Sequence, residues 1–340
     1  MVNRASNPET ESTYRGLPFA RLGTSGVTVP RITLGCWNNF GADADDELCK
    51  QLIFTAFDRG VTHFDLANNY GPPPGSAEER FGTILKHLPR DEVTITTKAG
   101  YLMWEGPYGD GGSRKYLLAS LDQSLRRLGV DYVDVFYHHR PDPLTRLDET
   151  MGALDSAVRM GKALYSGVSN YDATQTRLAV ACVEDHGFMP LLVNQSKCNM
   201  FQRNIEDELL STAAEAGMGV VAFSPLAQGL LTDRYLGGIP VGSRAGRDDG
   251  YSGALTASQV TDQALNRVRA LGELAERRGQ TLAQLAIAWT IRERPGGRVA
   301  SAIIGASSVE QLTENLRSAD GPPLSEEEIA EIDDICGFEG

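Results

Sequence analysis

A repeating alternation of short β-prone runs and helical segments constrains this chain more than any other feature. The predicted strands are residues 31–35, 61–65, 93–98, 132–139, 163–168, 191–195, 220–223 and 300–304. A segment with helical spacing of its apolar residues follows each strand. Eight such units in sequence favour an α/β fold that closes as a single (β/α)8 TIM barrel. A doubly wound parallel sheet is the alternative, weakened because no G-x-G-x-x-G follows the first strand.

The remaining segments flank or interrupt this repeat. Residues 1–16 are predicted to form a flexible N-terminal arm, and residues 17–340 a single barrel domain. Two alternating runs about a Gly/Ser turn predict a β-hairpin over residues 19–29. Long loops are predicted over 99–112 and from Phe223 to Gly253. Helices over 256–278 and 282–292 and a final helix after Ser325 are predicted as extra C-terminal helices. The capping-box sequences lie at 76–79, 308–311 and 325–328.

Composition argues against several classes of partner. A formal net charge of −13 and a pI near 4.9 disfavour nucleic acid and anionic membranes, whereas an anionic small ligand responds to local charge. The five cysteines are scattered without a C-x-x-C, which fits free thiols in a reducing compartment better than disulfides or zinc. The N-terminus lacks an apolar leader, and no run is long enough to span a bilayer. We therefore expect a cytoplasmic protein with no metal site and no membrane partner.

Titratable residues stand where two predicted strands end. Asp65 ends the second strand and Lys98 the third, and parallel strands would bring both to one edge of the sheet. An acid buried at a strand end requires a partner, so a structural salt bridge would account for this pair alone. Tyr70 lies just beyond Asp65 and adds a phenol to the same edge. A phenol near a desolvated lysine is a tunable proton donor, which favours a catalytic interpretation.

The other strand ends are also polar or aromatic. They carry Trp37, His139, Ser169, Asn170, Gln195, Phe223, Ser224, Gly305 and Ser307. In a barrel these residues surround one opening. His138 and His139 are adjacent on a strand and point to opposite faces, so they are not expected to share a metal. The alternation alone does not tell which of the two faces the barrel axis.

Six motifs, taken in order, resemble those of the aldo-keto reductases. They are residues 64–71 (FDLANNYG), 97–98 (TK), 136–142 (FYHHRPD), 167–170 (GVSN), 223–226 (FSPL) and 306–315 (ASSVEQLTEN). The resemblance covers nearly the whole chain, from Phe19 to Asp334. Within the family, residues 112–124 and 225–231 especially resemble the bacterial L-glyceraldehyde 3-phosphate reductases. The β subunits of voltage-gated potassium channels are also similar.

The resemblance implies a catalytic tetrad of Asp65, Tyr70, Lys98 and His139. It selects His139 over His138 because the histidine of the family directly precedes the residue before Pro141. In this interpretation Tyr70 is the general acid that protonates a carbonyl oxygen. Lys98, paired with Asp65, stabilises the developing tyrosinate, and His139 orients the carbonyl through a hydrogen bond.

The cofactor implied by the resemblance is NADPH. The matching positions are Trp37, Asp65, Ser169, Asn170, Gln195, Phe223, Ser224, Leu226, Gln228, Arg234, Arg244, Gly305, Ser307, Gln311, Glu314 and Asn315. Phe223 stands at the stacking position, where many relatives have Tyr or Trp. Arg234 and Arg244 match basic positions for the pyrophosphate and 2′-phosphate. Without the resemblance, Phe223 is explained equally well as a core residue, and the two arginines as solvated surface residues.

The predicted substrate pocket is formed by aromatic residues and the long loop. Its residues are Trp37, Tyr70, Tyr101, Met103, Trp104, Tyr108 and His139. Ordinary loop packing explains the loop aromatics equally well, and His138 or Arg140 is placed to meet an anionic substituent.

The expected reaction is the reduction of a small aldehyde or ketone, such as a phosphorylated triose or methylglyoxal. The alternatives are a Schiff-base aldolase using Lys98 and a binding module like the channel β subunits. Relatives suggest a homo-oligomer, a tetramer or octamer.

Overall fold

The chain begins with a small antiparallel sheet. The computed structural model describes residues 13–246 and 255–338, and its first strands are β1 (Thr13–Tyr14), β2 (Leu17–Arg21) and β3 (Thr28–Pro30). The β2–β3 pairing confirms the predicted hairpin. The pairing of Thr13–Tyr14 with β2 corrects the predicted arm, which cannot extend to residue 16; residues 1–12 lie outside the described part. The hairpin covers the amino-terminal end of the larger barrel, where Leu22 packs with Val193 and Val221.

Eight parallel strands form a closed barrel, as predicted. They are β4 (Ile32–Gly35), β5 (His63–Asp65), β6 (Thr94–Ala99), β7 (Val133–His138), β8 (Ala163–Ser169), β9 (Leu191–Lys197), β10 (Gly219–Phe223) and β11 (Ser301–Ile304). Each lies within two residues of its predicted bounds. The strands pair in chain order, and pairing of β11 with β4 closes the ring. All carboxyl ends therefore open on one face of the barrel.

Helices surround the barrel, and each buries apolar side chains. They are α1 (Asp46–Asp58), α2 (Ser76–Leu85), α3 (Arg114–Leu128), α4 (Leu147–Arg159), α5 (Ala173–Asp185), α6 (Leu210–Glu215), α7 (Asp262–Arg277), α8 (Leu282–Ile291), α9 (Val309–Leu316) and α10 (Glu326–Cys336). A π-helical turn, Ile205–Leu209, leads into α6. The extra helices α7 and α10 pack on each other. Among the described residues, no helix is both long and apolar enough to cross a membrane.

Two predicted helix starts are wrong. Ser76 is the first residue of α2 and not its cap: Gly75 occupies the cap position with φ +92°, and Ser76 Oγ donates to the Pro73 carbonyl. The helix predicted over 256–278 begins only at Asp262, because the Thr261 side chain accepts from the Ala264 amide and starts a new helix. The capping box at Ser325 is confirmed. Residues 247–254 of the predicted long segment lie outside the described residues.

Candidate active site

The acid and the lysine at neighbouring strand ends form a buried ion pair. Lys98 Nζ donates to Asp65 Oδ2 at 2.7 Å, and the two side chains are 0% and 2% exposed. The other carboxylate oxygen of Asp65 accepts from Thr96 Oγ1 at 2.7 Å and from Gln195 Nε2 at 2.8 Å. Three donors on one carboxylate compensate for its removal from water.

The Lys98 ammonium is fully occupied by fixed acceptors. Besides Asp65, it donates to the Leu66 carbonyl at 2.6 Å and to the Tyr70 hydroxyl at 3.4 Å. Burial lowers the pKa of Lys98, and the adjacent Asp65 carboxylate opposes that effect. The result is a positive charge held beside the phenol of Tyr70 without access to solvent.

Tyr70 lies in a turn just beyond β5. Its amide donates to the Ala67 carbonyl at 3.0 Å, which fixes the turn, and its ring centroid lies 4.9 Å from Lys98 Nζ. The ring is also 5.9 Å from that of His139 and 6.1 Å from that of Trp37. Tyr70, His139 and Trp37 therefore surround one opening above the ion pair.

The structure separates the two adjacent histidines. His139 faces Tyr70, whereas His138 turns away and its Nδ1 lies 2.7 Å from the Tyr171 hydroxyl. Burial, with the positive charge of Lys98 nearby, holds the pKa of His139 well below its ordinary value of 6.5. His139 is therefore neutral at physiological pH. Its Nδ1 makes no hydrogen bond with any described residue.

Ser169, Asn170 and Gln195 form a connected edge next to His139. Asn170 adopts φ +60°, its side-chain amide donates to the His139 carbonyl at 3.0 Å, and its backbone amide donates to the Gln195 carbonyl at 3.0 Å. The Asn170 amide also reaches Ser169 Oγ at 3.2 Å. The Gln195 side-chain amide also donates to the Asp65 carboxylate, a contact that the sequence did not indicate.

The predicted nicotinamide-stacking segment follows β10. Phe223 is partly exposed at the strand end, and Ser224 and Gln228 adopt left-handed conformations with φ +55° and +59°. The Ser224 carbonyl accepts from Asn199 Nδ2 at 3.0 Å, and Gln228 Oε1 accepts from the Leu255 amide at 2.9 Å. Leu226 is buried in this turn.

The predicted basic residues differ in their surroundings. Arg234 is exposed and forms no ion pair with a described residue. The Arg244 guanidinium lies 5.1 Å from the Trp37 ring, at the edge of the opening.

Gly305 directly follows β11. A Cβ atom built on it would meet only Asn39 Nδ2, at 4.0 Å, so the space above this strand end is open.

Of the two hydrogen bonds of the capping box predicted at the start of α9, one forms and the other does not. Ser308 Oγ accepts from the Gln311 amide at 3.2 Å, but the Gln311 side chain accepts from the amide and hydroxyl of Ser307 and not from Ser308. Asn315 is 1% exposed, and its Nδ2 has no partner among the described residues. The Glu314 carbonyl accepts from Gln284.

The loop aromatics separate into different environments. Tyr101 packs edge-on against His139 at 4.7 Å between ring centroids. Trp104 instead packs on Tyr116 at 5.2 Å, and Tyr108 is 57% exposed beneath the Lys115 ammonium. Met103 packs against the hydrophobic core.

Sequence reasoning missed two further groups that support the site. Thr96 lies two residues before Lys98 and therefore shares its face of β6, a signal that strand alternation provides. The Tyr116 hydroxyl donates to the Tyr101 carbonyl at 2.5 Å and accepts from Asn68 Nδ2, which anchors the start of the loop. The sequence does not indicate that contact, because Tyr116 lies on α3 and not at a strand end.

Comparison with known proteins defines the family. The model of the aldo/keto reductase family matches residues 31–336, nearly the whole chain. The chain belongs to the aldo/keto reductase family. Its class of activity is thus that of an oxidoreductase, and a nicotinamide dinucleotide is the cofactor that enzymes of this family generally use.

Curated members of the aldo/keto reductase family align along the full chain. L-glyceraldehyde 3-phosphate reductases of Escherichia coli K12 and O157:H7 are each 48% identical over 332 residues, covering 96% of this chain and 94% of theirs. A probable voltage-gated potassium channel subunit beta of Oryza sativa subsp. japonica is 36% identical over 321 residues, covering 93% and 95%.

The residues present fit a nicotinamide dinucleotide. Phe223 is partly exposed at the end of β10, the space above Gly305 after β11 is open, and Asn315 on α9 has a buried amide without a partner among the described residues. A buried amide without a partner is costly, so Asn315 is suited to a ligand that accepts its hydrogen bond.

Proposed function

We propose that this protein is an NADPH-dependent reductase that converts small aldehydes and ketones, such as phosphorylated trioses or methylglyoxal, to alcohols. The observation that carries the proposal is the solvent-free Lys98–Asp65 pair, whose ammonium lies 3.4 Å from the Tyr70 hydroxyl. No structural requirement of the barrel explains a phenol and an imidazole gathered around such a pair.

Tyr70 is the proposed general acid. Its hydroxyl hydrogen would pass to the carbonyl oxygen of the substrate as negative charge develops there. The Lys98 ammonium favours the tyrosinate that remains, because a positive charge beside a phenolate stabilises the ionised form. Asp65 holds the ammonium in place, and Thr96 and Gln195 hold Asp65.

The neutral imidazole of His139 is the proposed orienting group. A neutral ring donates a hydrogen bond to the carbonyl oxygen without competing with Tyr70 as a proton source. When bound, NADPH supplies hydride to the carbonyl carbon. Ser169 and Asn170 would hold its carboxamide, Phe223 its ring, and Arg234 and Arg244 its phosphates. Ser307, Gln311 and Asn315 would select the phosphorylated adenosine.

Two alternatives are disfavoured on specific grounds. A Schiff-base aldolase needs an accessible lysine, whereas Lys98 is 0% exposed and donates to three acceptors. A purely regulatory role, suggested by the channel subunit relative, would not require His139 beside Tyr70. By analogy with relatives we also propose a homo-oligomer, and the unpaired cysteines are consistent with a cytoplasmic enzyme.

The test is a panel of aldehydes assayed for consumption of NADPH, with NADH in parallel. We expect turnover of small aldehydes, glyceraldehyde 3-phosphate included, and a clear preference for NADPH. Borohydride trapping of a carbonyl substrate on Lys98 without NADPH consumption would support the aldolase instead. Failure to reduce any aldehyde, combined with stoichiometric binding to a membrane protein, would support the regulatory role.

A further inference from the structure

Arg140 places a positive charge at the rim of the site and directs it toward the long loop. It directly follows His139, and its Nε donates to the Gly100 carbonyl at 2.8 Å. Its Nη2 donates to both carboxylate oxygens of Asp110, at 2.9 and 3.0 Å. Its Nη1 has no hydrogen-bond partner among the described residues, and the side chain is 36% exposed. The guanidinium is thus fixed at one end and accessible at the other.

The ring of Tyr101 connects Arg140 to the catalytic opening. One side of the ring meets the His139 imidazole at 4.7 Å, and the Arg140 guanidinium carbon lies 4.8 Å from the same centroid. Both groups therefore border one ring, which places the Arg140 charge next to the residue proposed to hold the substrate carbonyl. A neutral aldehyde would gain nothing from this charge.

Asp110 has the character of an exchangeable partner. It is 43% exposed, it lies on the loop and not on the barrel, and its Oδ1 also accepts from the Gly111 amide at 2.7 Å. An ion pair this exposed adds little net stability because solvent screens it. A phosphate dianion offers the guanidinium more charge and more acceptor oxygens than a carboxylate does.

The charge of the whole molecule gives an anionic substrate no general attraction. The formal net charge is −13, so attraction has to come from cations near the site. Lys98 is 0% exposed and already occupied, and Arg244 lies over the Trp37 ring. Arg140 is the partly exposed cation on the Tyr101 ring beside His139.

We propose that Arg140 recognises the phosphate of a small phosphorylated aldehyde, and that this phosphate displaces the Asp110 carboxylate when the substrate binds. The inference rests on the proposed function and adds to it the residue that selects the phosphorylated substrates.

The experiment compares Arg140→Gln, Asp110→Asn and the control Lys115→Ala with the unmodified protein. Glyceraldehyde 3-phosphate and unphosphorylated glyceraldehyde are assayed with NADPH. We expect Arg140→Gln to reduce kcat/KM for the phosphorylated aldehyde by about 10- to 100-fold, mainly through KM, and to leave the unphosphorylated one within about twofold. Asp110→Asn removes the competing carboxylate and should lower KM for the phosphorylated aldehyde alone. Lys115 lies over the exposed Tyr108 ring, and its variant should resemble the unmodified protein.

Equal losses for both aldehydes would overturn the proposal, because Arg140 would then only position Tyr101 and His139. An unchanged selectivity would overturn it too, and a weakened NADPH affinity would assign Arg140 to the cofactor instead.

Direct binding of inorganic phosphate, measured by calorimetry, separates this proposal from the proposed function. If the unmodified protein reduces no aldehyde, the proposed function fails. Phosphate binding that Arg140→Gln abolishes and Lys115→Ala retains would still support the phosphate site. Equal phosphate binding by all variants would contradict it.

Discussion

At the scale of single residues, the barrel interior contains polar groups that are kept uncharged. His63 lies on β5 two residues before Asp65, and its Nδ1 is 2.8 Å from Thr33 Oγ1, which in turn is 2.7 Å from Ser301 Oγ. Burial lowers the pKa of His63 to about 4, and the nearby Lys98 charge adds to the effect while Asp65 opposes it. This neutral chain of side chains underlies the ion pair of the site.

His63 makes stability depend on pH in a defined direction. The pKa of His63 is about 4 in the folded state, below the ordinary 6.5. Between pH 6.5 and 4 the imidazole is therefore protonated in the unfolded chain and neutral in the folded chain. The free energy of unfolding should therefore fall as pH decreases from 6.5 to 4, by about 3 kcal/mol from this residue.

Urea unfolding at several pH values measures this dependence. The variant His63→Gln should show a shallower slope between pH 6.5 and 4, whereas His87→Gln, on the surface, should keep the slope of the unmodified protein. Parallel slopes for all three proteins would mean that His63 is not buried in neutral form.

At the scale of elements, the β2–β3 hairpin depends on a close backbone approach. Gly23 adopts φ +56°, and a Cβ atom there would lie 2.0 Å from the Gly217 carbonyl oxygen, just before β10. The amide of Thr24 donates to that same carbonyl at 3.0 Å. The hairpin can seal the barrel only because this position has no side chain.

Replacing Gly23 by Ala should therefore destabilise the protein by about 2–4 kcal/mol, through strain and displacement of the hairpin. Gly26→Ala, in the same turn, is a matched control because nothing lies within 4 Å of a Cβ atom there. Chemical denaturation gives both values, and equal stability of the two variants would show that the hairpin does not need this contact.

Helix starts were less predictable than strand bounds. Thr261 is the cap of α7 although Thr256, five residues earlier, can also start a helix. Gly75 is the cap of α2 although Ser76 follows it directly. The choice depends on how the preceding chain approaches the helix. Local capping sequences describe which residues can start a helix, and the packed structure selects among them.

At the scale of the whole molecule, barrel closure explains why sequence reasoning located the strand ends of the site. Once eight parallel strands are recognised, Asp65 and Lys98 must emerge together, and the structure places them 2.7 Å apart. The donation from Gln195 to Asp65 spans 130 residues and the barrel interior, so only the closed geometry reveals it. Strand alternation predicts that His138 and His139 point in opposite directions, but only the closed barrel shows which of them faces Tyr70.

The central claim is that this closure makes Tyr70 a proton donor to a bound carbonyl. Single-turnover hydride transfer from NADPH in the variant Tyr70→Phe tests it most directly, with NADPH affinity measured by fluorescence. The account predicts a rate at least about a hundredfold lower, because the donor is lost while the Lys98–Asp65 pair remains. It also predicts an NADPH dissociation constant within about twofold of the unmodified protein. An unchanged rate of hydride transfer would contradict the account.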